Sequence, residues 1–209
     1  MIREIEEKYG LSSPLVFSAM LEIPREKFIP KTYRYLAYAD NAVPIGYGQT
    51  ISQPYTVAFM TDLLLSGIKH QVPGKKSEVL EIGTGSGYQA AILAKLFKKV
   101  YSVEIIPNLA RQAEKTLKSL GIRNVEVKIG SGEWGLKEAA PFDAILVTAE
   151  ISGKPPQELF DQLKLKGVMV APIKKKEGAE MTRYIKRSAA KITKSEHGTF
   201  YFVPFVFRD

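Results

Sequence analysis

Cysteine is missing from all 209 residues of the chain. Its absence excludes structural disulfides, zinc sites built on thiolates and any mechanism that uses a thiol nucleophile. The two histidines, His70 and His197, leave little room for imidazole catalysis or metal ligation. We therefore expect no metal site.

Long apolar runs are also missing. No stretch approaches the roughly 18 consecutive apolar residues that a membrane-spanning helix requires. The chain begins MIREIEEK, a charged segment without the apolar region of a secretory signal peptide. We therefore expect a cytoplasmic protein that does not bind membranes.

The composition is that of an ordinary globular protein with one large core, at 45% hydrophobic and 25% charged residues. This excludes disordered and fibrous classes. Lys and Arg number 30 against 22 Asp and Glu, which gives a net charge of +8. That charge favours polyanions at low salt, but a solvated basic surface is the simpler explanation, so composition alone indicates no nucleic-acid site.

The segment 77–173 alternates short β-rich runs with helical ones, which is typical of βαβ units and a mostly parallel sheet with helices on both faces. Strands are predicted over 78–82, 100–103, 125–129, 142–147 and 168–173, and helices over 88–97, over 108–120 and from 155 onward. Two further strands, 182–187 and 200–203, are expected to complete one edge in antiparallel fashion.

Residues 1–76 read as an N-terminal helical extension that includes a candidate active-site loop, and 77–209 as the α/β domain. Ser13 is a predicted N-cap followed by a proline in the first helical turn. The Gly-rich run 44–52 cannot be a regular helix. A helix is expected from Pro54 onward, with Val57 and Leu64 on its apolar face.

A glycine-rich loop follows the first predicted parallel strand, with glycines at 83, 85 and 87. Glycine lets the backbone approach a ligand closely, although strand-to-helix turns also use it for geometry alone. The next strand ends at Glu104, where a carboxylate can accept the hydroxyls of a ribose. The spacing Gly-x-Gly-x-Gly, two residues after Glu81, differs from the Gly-x-Gly-x-x-Gly of dinucleotide sites. It resembles the nucleoside-binding half of class I S-adenosylmethionine-dependent methyltransferases.

The sequence after the fourth strand argues against a nucleobase amino group as the methyl acceptor. Methyltransferases of nucleobase amino groups usually carry Asp/Asn-Pro-Pro-Tyr/Phe there, whereas this chain reads VTAE at 147–150. Without that motif, and without a cysteine for C5 chemistry, only the basic charge supports a nucleic-acid substrate. We therefore expect no nucleic-acid partner.

Motifs along nearly the whole chain closely resemble the protein-L-isoaspartate O-methyltransferase family. The segment PIGYGQTISQP at 44–54 is the most specific of them. The other motifs are PREKFIP at 24–30, LAYAD at 36–40, LEIGTGSGYQ at 80–89, PFDAI at 141–145, QLKLKG at 162–167 and FVP at 202–204.

This resemblance implies an α/β fold with a doubly wound, mostly parallel seven-stranded sheet and an N-terminal helical extension. It implies methyl transfer from S-adenosyl-L-methionine to the free carboxylate of isoaspartyl residues in peptides and damaged proteins, with S-adenosyl-L-homocysteine as product. The ester then closes to a succinimide, which reopens partly as normal aspartate. The enzyme is expected to be a monomer.

The family's active-site serine falls on Ser52, although a serine there could also merely cap the helix that follows. The expected cofactor-binding residues are Ile45, Gly46, Tyr47, Gly48, Gln49, Thr50, Glu81, Gly83, Thr84, Gly85, Ser86, Gly87, Glu104, Ile105, Ser131 and Gly132. An acceptor carboxylate is ionised at neutral pH, since its ordinary pKa is about 4, so no general base is required. Alignment of the reacting groups would then supply most of the catalysis.

Two positions depart from the family pattern. Ser131 stands where the family has an aspartate that contacts the adenine amino group, and Glu150 stands where it usually has alanine. We expect Glu150 to face solvent or to pair with Lys154. These departures keep two alternatives open: a methyltransferase for another acceptor, such as RNA or a different protein carboxylate, and a cofactor-binding module without activity.

Overall fold

The computed structural model describes residues 1–68 and 74–205, with 74–76 described by their backbone alone. His70 and residues 206–209 lie outside the described part. The helices are α1 (Ile2–Tyr9), α2 (Pro14–Glu22), α3 (Pro54–Gly67), α4 (Tyr88–Leu96), α5 (Pro107–Ser119) and α6 (Gln157–Asp161). The strands are β1 (Val43–Gly46), β2 (Gln49–Ile51), β3 (Gly74–Ile82), β4 (Phe97–Glu104), β5 (Val125–Ile129), β6 (Phe142–Val147), β7 (Leu163–Lys174), β8 (Ala179–Lys186) and β9 (Ile192–Phe200).

A seven-stranded sheet has the order β5-β4-β3-β6-β7-β8-β9. Strands β5, β4, β3, β6 and β7 pair in parallel, whereas β8 pairs antiparallel with both of its neighbours. The predicted doubly wound, mostly parallel sheet is confirmed. After β3 the chain turns toward β4, and after β6 it turns toward β7, so a crevice opens at the carboxyl ends of β3 and β6.

Both faces of the sheet are covered, as the buried strand β6 shows. Ala144 and Leu146 belong to one hydrophobic cluster, which includes residues of α2, α3 and α4. Ile145 and Val147 belong to a second cluster, which includes residues of α6. Successive strand residues point to opposite faces, so the continuous apolar run 144–147 requires this double cover.

The N-terminal helices pack on the first of these clusters. Val16 and Met20 of α2 are buried in the same cluster as Val79 of β3 and Val168 of β7. The domain boundary near residue 76 stays a prediction. No helix in the described ranges combines the length and the apolar character that crossing a membrane would require.

The Gly-rich run that was predicted only as non-helical forms a β-hairpin, with β1 antiparallel to β2. Its turn has three successive residues with positive φ: Gly46 at 95°, Tyr47 at 55° and Gly48 at 71°. Glycine adopts such angles without a steric penalty, which explains why two of the three positions are glycine.

One local expectation was wrong. The last strand is β9, which ends at Phe200, whereas 201–203 leave the sheet. Strand β9 escaped prediction because it is a polar edge strand with mostly exposed residues. The predicted N-cap of α2 at Ser13 is confirmed, and the Ser13 hydroxyl donates to Asp62 Oδ1 at 2.7 Å instead of to the helix backbone.

Candidate active site

The glycine-rich loop lies in the crevice at the carboxyl end of β3. Its three glycines have φ values of 97° at Gly83, 52° at Gly85 and 88° at Gly87. A Cβ atom on Gly83 would also collide with the hydroxyl of Thr148. That hydroxyl donates to the carbonyls of Ile82 at 2.9 Å and of Gly83 at 2.7 Å, which ties the loop to the end of β6. Sequence reasoning missed Thr148.

Glu104 ends β4 directly beside this loop. One carboxylate oxygen accepts the Gly85 N–H at 2.8 Å, and the other accepts the Ile106 N–H at 2.9 Å. The side chain lines the crevice although its residue is only 5% exposed. A carboxylate fixed in this way keeps further lone pairs for ligand hydroxyls.

Glu81 lies beneath the loop and is completely buried. Its side chain is in the protein interior and does not line the crevice. Ser102 Oγ donates to its carboxyl group, and the Thr84 and Ser102 hydroxyls are 2.5 Å apart. Burial raises the pKa of Glu81 to about 8, partly offset by the Ser102 hydrogen bond, and the nearby Glu104 charge raises it further. The sequence-based expectation of a direct ligand contact does not fit this position, from which Glu81 supports the loop through Ser102 and Thr84.

We expect the stability of the protein to depend on pH through Glu81. Its pKa rises from 4.5 to about 8 on folding, so between these values the folded protein holds a proton that the unfolded chain has released. The free energy of unfolding should therefore fall as pH rises through this range and level off above it. Glu81→Gln should remove that decline in urea unfolding experiments, whereas the surface control Glu114→Gln should keep it. Parallel pH curves for Glu81→Gln and wild type would contradict this assignment.

The hairpin and the segment after it form the opposite wall of the crevice. Gln49, Thr50 and Ser52 line it across from the glycine loop. Ile45 Cδ1 lies 3.5 Å from the position of a Cβ atom on Gly85, and the Tyr47 hydroxyl accepts a hydrogen bond from Asn108 at 2.9 Å. We call this space, which is open to solvent, the glycine-loop lobe. Its lining residues are Gln49, Thr50, Ile51, Ser52, Val57, Gly83, Thr84, Gly85, Ser86, Tyr88, Gln89, Glu104, Thr148, Ala149 and Val203.

A second space, the aromatic lobe, adjoins the first and is also open to solvent. The two lobes share four lining residues, which are Thr50, Ser52, Thr148 and Val203. The remaining lining residues of the aromatic lobe are Tyr9, Ala42, Gln53, Tyr55, Thr56, Thr199, Phe200, Tyr201 and Phe202. Ser52 therefore lies at the junction of a glycine-rich, polar lobe and an aromatic one.

A third space, the apolar lobe, extends from the glycine loop past Glu104. Its lining residues are Gln49, Ile82, Gly83, Val103, Glu104, Ile105, Ile106, Gly132, Ala149, Pro204 and Phe205. A Cβ atom on Gly132 would collide with Ile82, so the backbone there has no room for a side chain. Ser131 is buried, and its hydroxyl donates to Glu133 at 2.9 Å.

The segment around Ser52 is held by two charged residues that sequence reasoning missed. Arg25 Nη2 donates to the Ser52 carbonyl oxygen at 2.7 Å. The Asp40 carboxylate accepts hydrogen bonds from the side chain of Gln53 and from the backbone N–H of Tyr55, each at 2.8 Å. The N-cap of α3 is Gln53, so the interpretation of Ser52 as the helix cap is wrong.

Asp40 also places a negative charge at the N-terminus of α3. The free backbone N–H groups and the positive dipole end at the N-terminus of a helix such as α3 favour an anion. In the structure, the side chain of Asp40 already supplies an anion there through the Tyr55 N–H. The Ser52 hydroxyl, by contrast, makes no hydrogen bond to any residue that the structure describes, which leaves it available to a ligand.

Glu150 pairs with Lys174, at 3.5 Å, and its side chain is mostly buried, so the expectation of solvent exposure or a Lys154 partner was wrong. The backbone explains its position. The Glu150 N–H donates to the Val203 carbonyl, and the Glu150 carbonyl accepts the Phe205 N–H, both at 2.8 Å. These bonds hold the segment after β9 against the crevice and direct the Glu150 side chain toward β7.

Glu150→Ala should therefore leave kcat/KM for the acceptor nearly unchanged. The pair with Lys174 is partly exposed, and such pairs stabilise proteins by less than about 1 kcal/mol. Steady-state kinetics at low and high salt, together with thermal unfolding, would check this. A marked loss of activity would show that the carboxylate contacts the substrate after all.

Comparison with known proteins places these features in a family. The family model of protein-L-isoaspartate(D-aspartate) O-methyltransferase (PCMT) matches residues 1–209. A protein-L-isoaspartate O-methyltransferase from Gloeobacter violaceus is 43% identical over 204 residues, which cover 98% of this chain and 96% of that protein. One from Picosynechococcus sp. is 50% identical over 164 residues, covering 78% of this chain and 70% of that protein.

Solved structures give the same result for the fold. A protein-L-isoaspartate O-methyltransferase structure superposes with a TM-score of 0.82 at 29% identity, covering 98% of this chain and 65% of that one. A Plasmodium falciparum structure, described as such an enzyme in complex with S-adenosyl-L-homocysteine, has a TM-score of 0.83 at 24% identity. It covers 97% of this chain and 95% of the other.

Proposed function

Because this chain belongs to the protein-L-isoaspartate(D-aspartate) O-methyltransferase family, we propose that it methylates the free carboxylate of isoaspartyl residues, with S-adenosylmethionine as donor. Its substrates are isoaspartyl-containing peptides and damaged proteins, so the activity serves protein repair. The observation that carries the proposal is the location of Ser52 at the junction of the glycine-loop and aromatic lobes.

The residues present fit the donor. Glu104 offers a fixed carboxylate to the ribose hydroxyls, the glycine-loop lobe suits the methionine part, and the apolar lobe suits the adenine. Neither Gly83 nor Gly132 has room for a Cβ atom, so no side chain at these two positions blocks the path of the donor. When bound, S-adenosylmethionine supplies a methyl group activated by a positively charged sulfur, and S-adenosylhomocysteine is the product.

The remaining residues position the acceptor and exclude water. The Ser52 hydroxyl can donate to a carboxylate that enters from the aromatic lobe, whose walls include Tyr55 and Phe200. The carboxylate is already ionised at neutral pH, so the site needs no group that removes a proton. Alignment of the carboxylate toward the glycine-loop lobe supplies the catalysis.

Methyl transfer from labelled donor to three acceptors tests this proposal: an isoaspartyl peptide, its aspartyl counterpart and bulk RNA. We expect label in the isoaspartyl peptide alone. RNA, the acceptor that the net charge of +8 favours, would carry the label if the altered-acceptor alternative held. Binding of S-adenosylhomocysteine without transfer to any acceptor would support the cofactor-binding module. The monomeric state and the cytoplasmic location stay predictions.

A further inference from the structure

Arg25 is a fully buried cation directly behind Ser52. It lies in a single 3₁₀ turn, Arg25–Phe28, and its side chain reaches the segment that precedes α3. Nη2 donates to the Ser52 carbonyl at 2.7 Å, and the guanidinium carbon lies 4.8 Å from the centre of the Tyr88 ring. Tyr88 itself lines the glycine-loop lobe.

The surrounding protein compensates the charge of Arg25 only in part, through the nearby Asp40 carboxylate and the Tyr88 ring. Nε and Nη1 are buried and make no hydrogen bond within the part of the chain that the structure describes. No carboxylate in that part forms an ion pair with Arg25, and the nearby Asp40 carboxylate already accepts bonds from Tyr9, Gln53 and Tyr55. Burial lowers the pKa of Arg25 to about 10, so the guanidinium stays protonated at neutral pH.

A buried cation without a counterion is costly unless another interaction offsets its desolvation. The Tyr88 ring and the Ser52 carbonyl offset part of it. A further anion near the guanidinium would offset more of this cost, and the proposed substrate brings one to Ser52. Because the interior screens charges less than water does, such an anion gains from Arg25 even without direct contact.

We propose that Arg25 is a positioning residue that selects the anionic form of the acceptor at Ser52. It holds the Ser52 peptide so that the hydroxyl faces the crevice, and its charge attracts the isoaspartyl carboxylate. Methylation converts that carboxylate to a neutral ester, which loses the attraction, so the same residue favours release of the product. This inference rests on the proposed function.

Two peptides that differ only at the reacting group separate this role from a purely structural one. The first carries the isoaspartyl carboxylate, and the second carries a carboxamide in its place, which is neutral and similar in shape. Calorimetry with S-adenosylhomocysteine present gives the dissociation constant of each. We expect wild type to bind the acid about tenfold or more tightly than the amide, as for hydrogen bonds and contacts that involve charge.

Arg25→Gln should lower the acid-over-amide ratio severalfold, mainly by weakening the acid, because the Ser52 hydroxyl then remains the group that favours the carboxylate. Arg25→Lys keeps the charge and should keep most of the ratio. Arg183→Gln is the matched control, because Arg183 also has a buried Nε without a partner and donates to Ser66, in another part of the fold. This control should leave both constants unchanged.

Equal weakening of both peptides in Arg25→Gln, or an unchanged ratio, would overturn the inference. If Arg25→Gln does not fold, the test depends on Arg25→Lys. A folded lysine variant that binds S-adenosylhomocysteine but no longer binds the acid peptide more tightly than the amide peptide would also overturn the inference. The proposed function fails separately, if wild type does not methylate the isoaspartyl peptide at all.

Discussion

Replacing Ser52 by alanine should lower kcat/KM for an isoaspartyl peptide by roughly 10- to 150-fold. The variant loses a hydrogen bond to a charged acceptor, which is worth about 1.5–3 kcal/mol. Affinity for S-adenosylhomocysteine should change little, because the glycine loop and Glu104 remain in place. Steady-state methyl transfer and calorimetry give the two quantities.

The control for Ser52→Ala is Ser119→Ala. Ser119 is an exposed serine whose hydroxyl donates to the Thr116 carbonyl at 2.7 Å, on the last turn of α5. This variant should match wild type in both measurements. Unchanged kcat/KM in Ser52→Ala would remove Ser52 from the mechanism and reduce it to part of the connection into α3.

Glu104→Gln should weaken donor and product binding by a similar factor, roughly 10- to 150-fold. Two causes combine. The neutral amide gives weaker hydrogen bonds to the ribose hydroxyls. It also turns its NH₂ group toward the N–H of Gly85 or Ile106, where only an acceptor fits, so the glycine loop loses one of its anchors.

Calorimetry with S-adenosylhomocysteine measures this effect, and thermal unfolding shows whether the variant is folded. Glu126→Gln is the control, since Glu126 lies on the adjacent strand β5 and pairs with Lys99 and Lys128 away from the crevice. A folded Glu104→Gln protein with wild-type affinity would remove the ribose assignment.

The regular part of the fold was predictable because its signals are local. The alternation of β-rich and helical runs defines the parallel sheet, and parallel strands place their following loops at one edge. The location of Glu81 could have been predicted as well. Its neighbours Leu80 and Ile82 belong to one hydrophobic cluster, so strand alternation directs Glu81 to the opposite, equally covered face.

The parts that escaped prediction depend on contacts between distant positions. Arg25 meets the carbonyl of Ser52 across 27 positions, and nothing in the PREKFIP segment indicates that partner. Glu150 pairs with Lys174 because the segment after β9 fixes the backbone of Glu150. Strand β9 pairs with β8 although its own residues are mostly polar. Its strand conformation therefore depends on pairing with β8 and cannot be recognised from its own sequence pattern.

The central claim is that a carboxylate in the aromatic lobe meets the donor at Ser52. A crystal structure of the enzyme with S-adenosylhomocysteine and an isoaspartyl peptide tests it most directly. We expect the sulfur in the glycine-loop lobe, the ribose hydroxyls on Glu104 and the isoaspartyl carboxylate within hydrogen-bond distance of Ser52 Oγ, facing the sulfur. A peptide carboxylate bound away from Ser52, with the aromatic lobe left to solvent, would contradict it.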